Sequence, residues 1–135
     1  MKTILSLSAL LITLTLTAQS NTATWYLNDT SGNGIQSETN TASGSSSTAM
    51  GRGTIASGND STALGVNTEA SGSASTALGE NTQAIGDSST SMGYSTIASG
   101  VGSFAMGFGT RASGQWSTAM GNGTIASGNY STAMG

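Results

Sequence analysis

Small and apolar positions recur along this chain in a fixed order. The stretch from Ser47 to Asp60, S-T-A-M-G-R-G-T-I-A-S-G-N-D, returns as S-T-A-L-G-V-N-T-E-A-S-G-S-A and S-T-A-L-G-E-N-T-Q-A-I-G-D-S. It returns again as S-T-S-M-G-Y-S-T-I-A-S-G-V-G, S-F-A-M-G-F-G-T-R-A-S-G-Q-W and S-T-A-M-G-N-G-T-I-A-S-G-N-Y. Gly occupies every seventh position from Gly44 to Gly135. The residue two before each Gly is Ala, except at Ser91. The residue four before alternates between Ser (47, 61, 75, 89, 103, 117, 131) and Thr (54, 68, 82, 96, 110, 124). The residue just before Gly is Met50, Leu64, Leu78, Met92, Met106, Met120 or Met134 in one half of the pattern. In the other half it is Ser, with Ile85 the exception. The true period is therefore fourteen, built from two similar sevens.

A short, unbroken period is the signature of stacked repeats, in which each unit contacts only its neighbours. Seven residues are too few for a helix and its connection, but five residues of strand and two of turn fit. The pattern predicts an all-β fold, a parallel β-roll or solenoid. Each coil would hold two strands, S-T-A-M-G and T-x-A-S-G, with the recurring Gly taking positive φ at the turns. Coils stacked about 4.8 Å apart would make a rod of roughly 30 Å from Gly44 to Gly135.

Successive side chains of a strand point to opposite faces, so parity assigns each position. Ser47, Ala49 and Gly51 share one face, and Thr48 and Met50 the other. Thr54, Ala56 and Gly58 go together, opposed by Ile55 and Ser57. The two small-residue faces must look at each other, since only Ala, Ser and Gly fit inside so thin a roll. Stacked Ser and Thr are expected to hydrogen-bond to one another or to turn backbone. Outside, the second strand shows an unpatterned set: Ile55, Glu69, Gln83, Ile97, Arg111 and Ile125. The first strand shows Met or Leu on every coil. That stripe is predicted to be covered by further copies of the chain, in a homo-oligomer of cyclic symmetry.

The chain has 135 residues, 7% of them charged, with no Cys, His or Pro. No disulfide can hold the fold together. Lys2, Arg52 and Arg111 are the only basic residues. Nucleic-acid binding, which needs clustered cations to neutralise phosphates, is excluded as a function class. The first residues read differently from the rest. Lys2 precedes a mostly apolar run from Ile4 to Leu16, followed by the small residue Ala18. This is the layout of a secretory signal peptide over residues 1–20, cleaved around Ala18 to Ser20. The run is shorter than the ~20 residues of a membrane span. Residues 21–38 fall outside the repeat and are read as a lead-in strand over 24–27 and a turn-rich connection that caps the first coil. Residues 39–135 are the repeat array.

The repeat resembles the head repeat of YadA-like trimeric autotransporter adhesins, the Hep/Hag repeat, built on S-V-A-I-G-x-x-A-x-A-x-G. The stretch S-T-A-L-G-V-N-T-E-A-S-G (Ser61 to Gly72) and its siblings match at Ser, Ala, the apolar residue and both Gly. Thr48, Thr62 and Thr76 stand where the family has Val. The resemblance covers about residues 39–135. It implies a left-handed roll, three chains packed along their inner strands, and display on the outer surface of diderm bacteria. It also implies adhesion to host matrix, to cells or to other surfaces, without enzymatic activity. The chain stops at S-T-A-M-G, partway into a copy, which reads as truncation of a longer protein. Any membrane contact would run through a C-terminal anchor that this sequence lacks.

Enzymatic chemistry needs convergent titratable groups. Here Asp60, Glu69, Glu80 and Asp87 fall at different repeat positions, and no spacing suits a metal or a nucleotide cofactor. The N-x-S/T sites at Asn28, Asn59, Asn122 and Asn129 read as turn residues. The aromatics stand out instead. Tyr94 and Phe108 share one turn position on adjacent coils, and Trp116 and Tyr130 share another; these four are the candidate ligand contacts. Two other readings compete with an adhesin head. One is a structural shaft of a larger exported fibre. The other is an ice- or crystal-binding solenoid, which would need a flat exposed Thr array. Parity instead turns Thr54 inward and sets Thr48 beside Met.

Overall fold

Each coil of the roll is closed by one long and one short strand, and the fourteen-residue spacing puts identical residues above one another. The computed structural model describes residues 26–27, 35–36 and 39–135. The expected signal peptide, and most of the 21–38 segment, lie outside the described residues. After β1 (Tyr26–Leu27), β2 (Ile35–Gln36) and β3 (Thr41–Ala42), long and short strands alternate. The long ones are β4 (Thr48–Arg52), β6 (Thr62–Val66), β8 (Thr76–Glu80), β10 (Thr90–Tyr94), β12 (Phe104–Phe108) and β14 (Thr118–Asn122), followed by β16 (Thr132–Met134). The short ones are β5 (Ile55–Ala56), β7 (Glu69–Ala70), β9 (Gln83–Ala84), β11 (Ile97–Ala98), β13 (Arg111–Ala112) and β15 (Ile125–Ala126). The described residues contain strands and turns and no helix.

The long strands form one sheet, led by β1 and β2, and the short strands form a second. Pairing is parallel throughout, except that β1 runs antiparallel to β2. From β3 and β4 onward register advances by one repeat at every step, so Met50 pairs with Leu64 and Ala56 with Ala70. Backbone bonding continues around the corners: the Asp60 N–H donates to the Ser45 carbonyl and the Asn67 N–H to the Arg52 carbonyl, both at turns. A parallel solenoid of stacked 14-residue coils is therefore the fold.

The core is a column of alanines flanked by buried Ser and Thr. Ala49, Ala63, Ala77, Ala105 and Ala119 of the long strands are fully buried, as are Ala56, Ala70, Ala84, Ala98 and Ala112 of the short ones. The hydroxyls meet one half of the expectation, bonding to turn backbone rather than to their stacked copies. Stacked neighbours sit about 4.8 Å apart, beyond the roughly 3 Å reach of a hydroxyl hydrogen bond. Ser47 and Ser117 instead donate to the carbonyls of Gly44 and Gly114, three residues back, each at 2.7 Å. Ser91, the one residue that breaks the alanine column, bonds to Thr96 across the roll at 2.7 Å. Hydroxyls of Thr54, Ser61, Thr68, Ser75, Thr82, Ser89, Ser103 and Thr110 are buried without a partner. Longer amides do span neighbouring coils: the Asn67 Nδ2 donates to the Asn81 Oδ1 at 3.3 Å.

The strand lengths also depart from expectation. From β4 to β14 the first strand of each coil starts one residue after the Ser, at Thr or at Phe104, runs through Gly and ends one residue beyond it, while the second keeps only two residues. The reason lies in the glycines. Those of the long strands, such as Gly79 (φ +122°), hold positive φ inside the strand, and a Cβ there would collide with the next coil's Gly93 carbonyl oxygen. This bends the chain, and Gly51 and its equivalents end up exposed or half-buried rather than inside. Glycines that follow the short strands hold ordinary φ and are buried as far as Gly114, but a Cβ on Gly86 would likewise meet the Gly100 carbonyl oxygen. Close backbone approach, not turn geometry, fixes the seven-residue glycine spacing. The left-handed turn seats lie two residues after each glycine. They hold Ser46, Asp60, Ala74, Ser88, Trp116 and Tyr130 at one corner, and Asn67, Asn81 and Ser95 at the other, all at φ between 51° and 57°.

At the N-terminal end of the array, Asn40 takes the seat that Thr occupies elsewhere. Its Nδ2 donates to the Gly51 carbonyl and its Oδ1 accepts from the Thr54 N–H, both at 3.0 Å. Farther along, Asn59, Asp87 and Asn129 accept the N–H groups of Ser45, Ser73 and Gln115 in the preceding coil, at 3.2, 2.9 and 3.0 Å. Asn59 and Asn129 thus work as turn residues.

Candidate functional site

Parallel, in-register pairing stacks Met50, Leu64, Leu78, Met92, Met106, Met120 and Met134 into one continuous column on the outer face of the long sheet. Rungs at the two ends, Met50 and Met134, are 39% and 70% exposed. The five between them are half-buried. Each covers its neighbours along the column, and none of the described residues covers the column's outer side. The parallel column beside it reads Thr48, Thr62, Thr76, Thr90, Phe104, Thr118 and Thr132. An uninterrupted apolar strip of this kind marks an interaction surface.

The four candidate aromatics fall into two pairs on opposite edges of the roll. Tyr94 and Phe108 end β10 and β12 rather than lying in the turn. Their pairing in register stacks the rings, with centroids 5.0 Å apart and planes 7° from parallel. Trp116 and Tyr130 sit at the other corner, in left-handed turn seats at φ 54° and 57°. That conformation is costly for a bulky side chain. Other coils fill the same seat with Ser, Asp, Ala or Gly. Trp116 is 56% exposed and Tyr130 76%. The Trp116 ring lies back over Gly102, where a Cβ would meet ring atom Cε3 at 2.3 Å. Gly102 therefore makes room for the indole of the next coil. The structure stacks Tyr94 on Phe108 and sets Trp116 and Tyr130 in equivalent seats of adjacent coils, but it does not gather all four residues into one patch.

Among the described residues, no three His, Cys, Asp or Glu side chains gather as a metal site would require. Acidic groups are spread out, and one of them is tied into the short sheet, where the Gln83 Nε2 donates to the Glu69 Oε2 at 3.1 Å.

Against this geometry, the family model for the YadA head domain repeat matches residues 42–68, 70–96, 84–110 and 112–135. The chain belongs to the YadA head family. It is thus an adhesin-type head domain of trimeric autotransporters, as the Ser61 to Gly72 stretch led one to expect. The comparison with curated proteins gives no match. One feature of this YadA head escapes pattern reading. Gly102 looks like an ordinary turn glycine, although a Trp fourteen residues later was the available signal for its role.

Proposed function

We propose that this chain is the non-enzymatic head of a cell-surface adhesin, exported and displayed as a homotrimer on the outer surface of a diderm bacterium. The observation that carries the reading is the half-buried Met/Leu column on the long sheet of a YadA head. Three copies packed along Met50, Leu64, Leu78, Met92, Met106, Met120 and Met134 would cover it. Three identical rolls would then present repeated weak contacts to matrix, cells or another surface, and their linkage supplies avidity. Tyr94 with Phe108 on one edge, and Trp116 with Tyr130 on the other, are proposed as ligand contacts. The strained seats of Trp116 and Tyr130 support this, because strain kept on an exposed aromatic calls for a use.

The test replaces all four aromatics with Ser. Binding to immobilised matrix proteins and to host cells should fall to background while the trimer persists. Unchanged binding by a correctly assembled variant would remove the aromatics from the site. It would also favour a shaft that only carries recognition elements located elsewhere.

A further inference from the structure

An interface made from a strict repeat has a register problem. Copies of the long sheet that slide past each other by one coil, about 4.8 Å, bring equivalent surfaces back together. Of the seven Met/Leu rungs, six still find a Met or Leu partner after such a slip. Thr48, Thr62, Thr76 and Thr90 are identical, as are Thr118 and Thr132, so the neighbouring column resists sliding no better. Repetitive, Gly-rich strands specify register weakly for this reason. Phe104 is the exception. It is the one aromatic in the Thr column, paired in register with Thr90 below and Thr118 above, half-buried, and two residues from Met106 on the same outward face.

We propose that Phe104 is the register pin of the trimer. This rests on the trimeric reading given above. In the aligned assembly, three Phe104 rings meet at a single level along the shared face. After a one-coil slip, a ring meets Thr90 or Thr118 of its neighbours, overfilling one level and leaving a void at another. Both faults are destabilising in a packed interface. A single nonconforming residue fixes the register of repeating coiled coils by the same logic. The partner is a second and third copy of this chain, and what Phe104 decides is how they align.

The methionines themselves can read the outcome. The full chain carries 6 Met, and all but Met1 stand on the stripe. With methyl-labelled methionine, an aligned trimer is symmetric and gives one NMR signal per stripe Met. A slipped trimer breaks the symmetry and splits them. Sedimentation first establishes the mass of each protein. The expected result is a trimer with single signals for the parent chain and a trimer of equal mass with split Met92 and Met106 signals for Phe104→Thr. Thr is what the other coils carry at this position, so the variant keeps the fold. Adding Thr76→Phe to Phe104→Thr moves the pin and should restore single signals. A Phe104→Thr trimer with unsplit signals would overturn the inference and leave the trimer intact. So would a monomeric Phe104→Thr, which would make Phe104 an affinity anchor instead. A parent chain that is not trimeric would overturn the functional reading itself, and the inference with it.

Discussion

Gly86 and Gly109 are chemically alike but differently constrained. A Cβ on Gly86 would collide with backbone of the next coil, which cannot step aside without parting the sheets. Gly86→Ala should therefore cost about 3 kcal/mol, the upper range for overpacking. Gly109 has open space around its missing Cβ and only its φ of +62° to object, so Gly109→Ala should cost about 1–2 kcal/mol. Thermal unfolding of the two variants checks the order, and a Gly109→Ala as damaging as Gly86→Ala would contradict it. Thr96 offers a second residue-scale test, because Ser91 satisfies its buried hydroxyl. Ser91→Ala should cost about 1–3 kcal/mol, the penalty for an orphaned buried group. Adding Thr96→Val to Ser91→Ala should recover much of that loss. Ala77→Ser should do the reverse for Thr82, whose hydroxyl has no partner, gaining about 0.5–1.5 kcal/mol. Inward Ala, Ser and Thr could be read from the sequence because side-chain alternation needs only the strand to exist. The left-handed seats could not, since Ser46, Asp60, Ala74 and Trp116 share no side-chain chemistry that would announce them.

At the level of strands and corners, two strands per coil and parallel stacking follow from the fourteen-residue period alone. The unequal strand lengths do not. They arise from the positive φ of Gly51 and its equivalents, which a pattern of residue types does not reveal. The Tyr94 and Phe108 stack also belongs to this scale, because it exists only through the β10–β12 register. A double-mutant cycle replacing both with Ser should give a coupling of about 0.5–1.5 kcal/mol, as for other aromatic pairs. A coupling near zero would mean that the rings stack without stabilising the coil. The carboxylate of Asp87 holds the Ser73 N–H of the coil beneath. Asp87→Ala should raise hydrogen exchange at Ser73 while leaving distant coils protected, as expected of a solenoid whose coils contact only their neighbours.

For the whole molecule, assembly turns on what covers the long sheet. An interior of Ala, Ser and Thr closes each coil, while the Met and Leu side chains of the long strands face out of the roll in one column. The stripe was legible from the spacing of Met and Leu. Its partner was not, since parity shows which face is bare but not how many copies cover it. A charge in the middle of the column should be intolerable once the face is covered: Met92→Glu should dissociate the assembly while leaving the described roll folded, read by sedimentation and circular dichroism. Sedimentation velocity on the unaltered full chain decides whether copies of the chain cover that face. A compact species of three times the chain mass is expected. A compact monomer would contradict it, leaving a roll that keeps its Met/Leu face open to a surface other than itself.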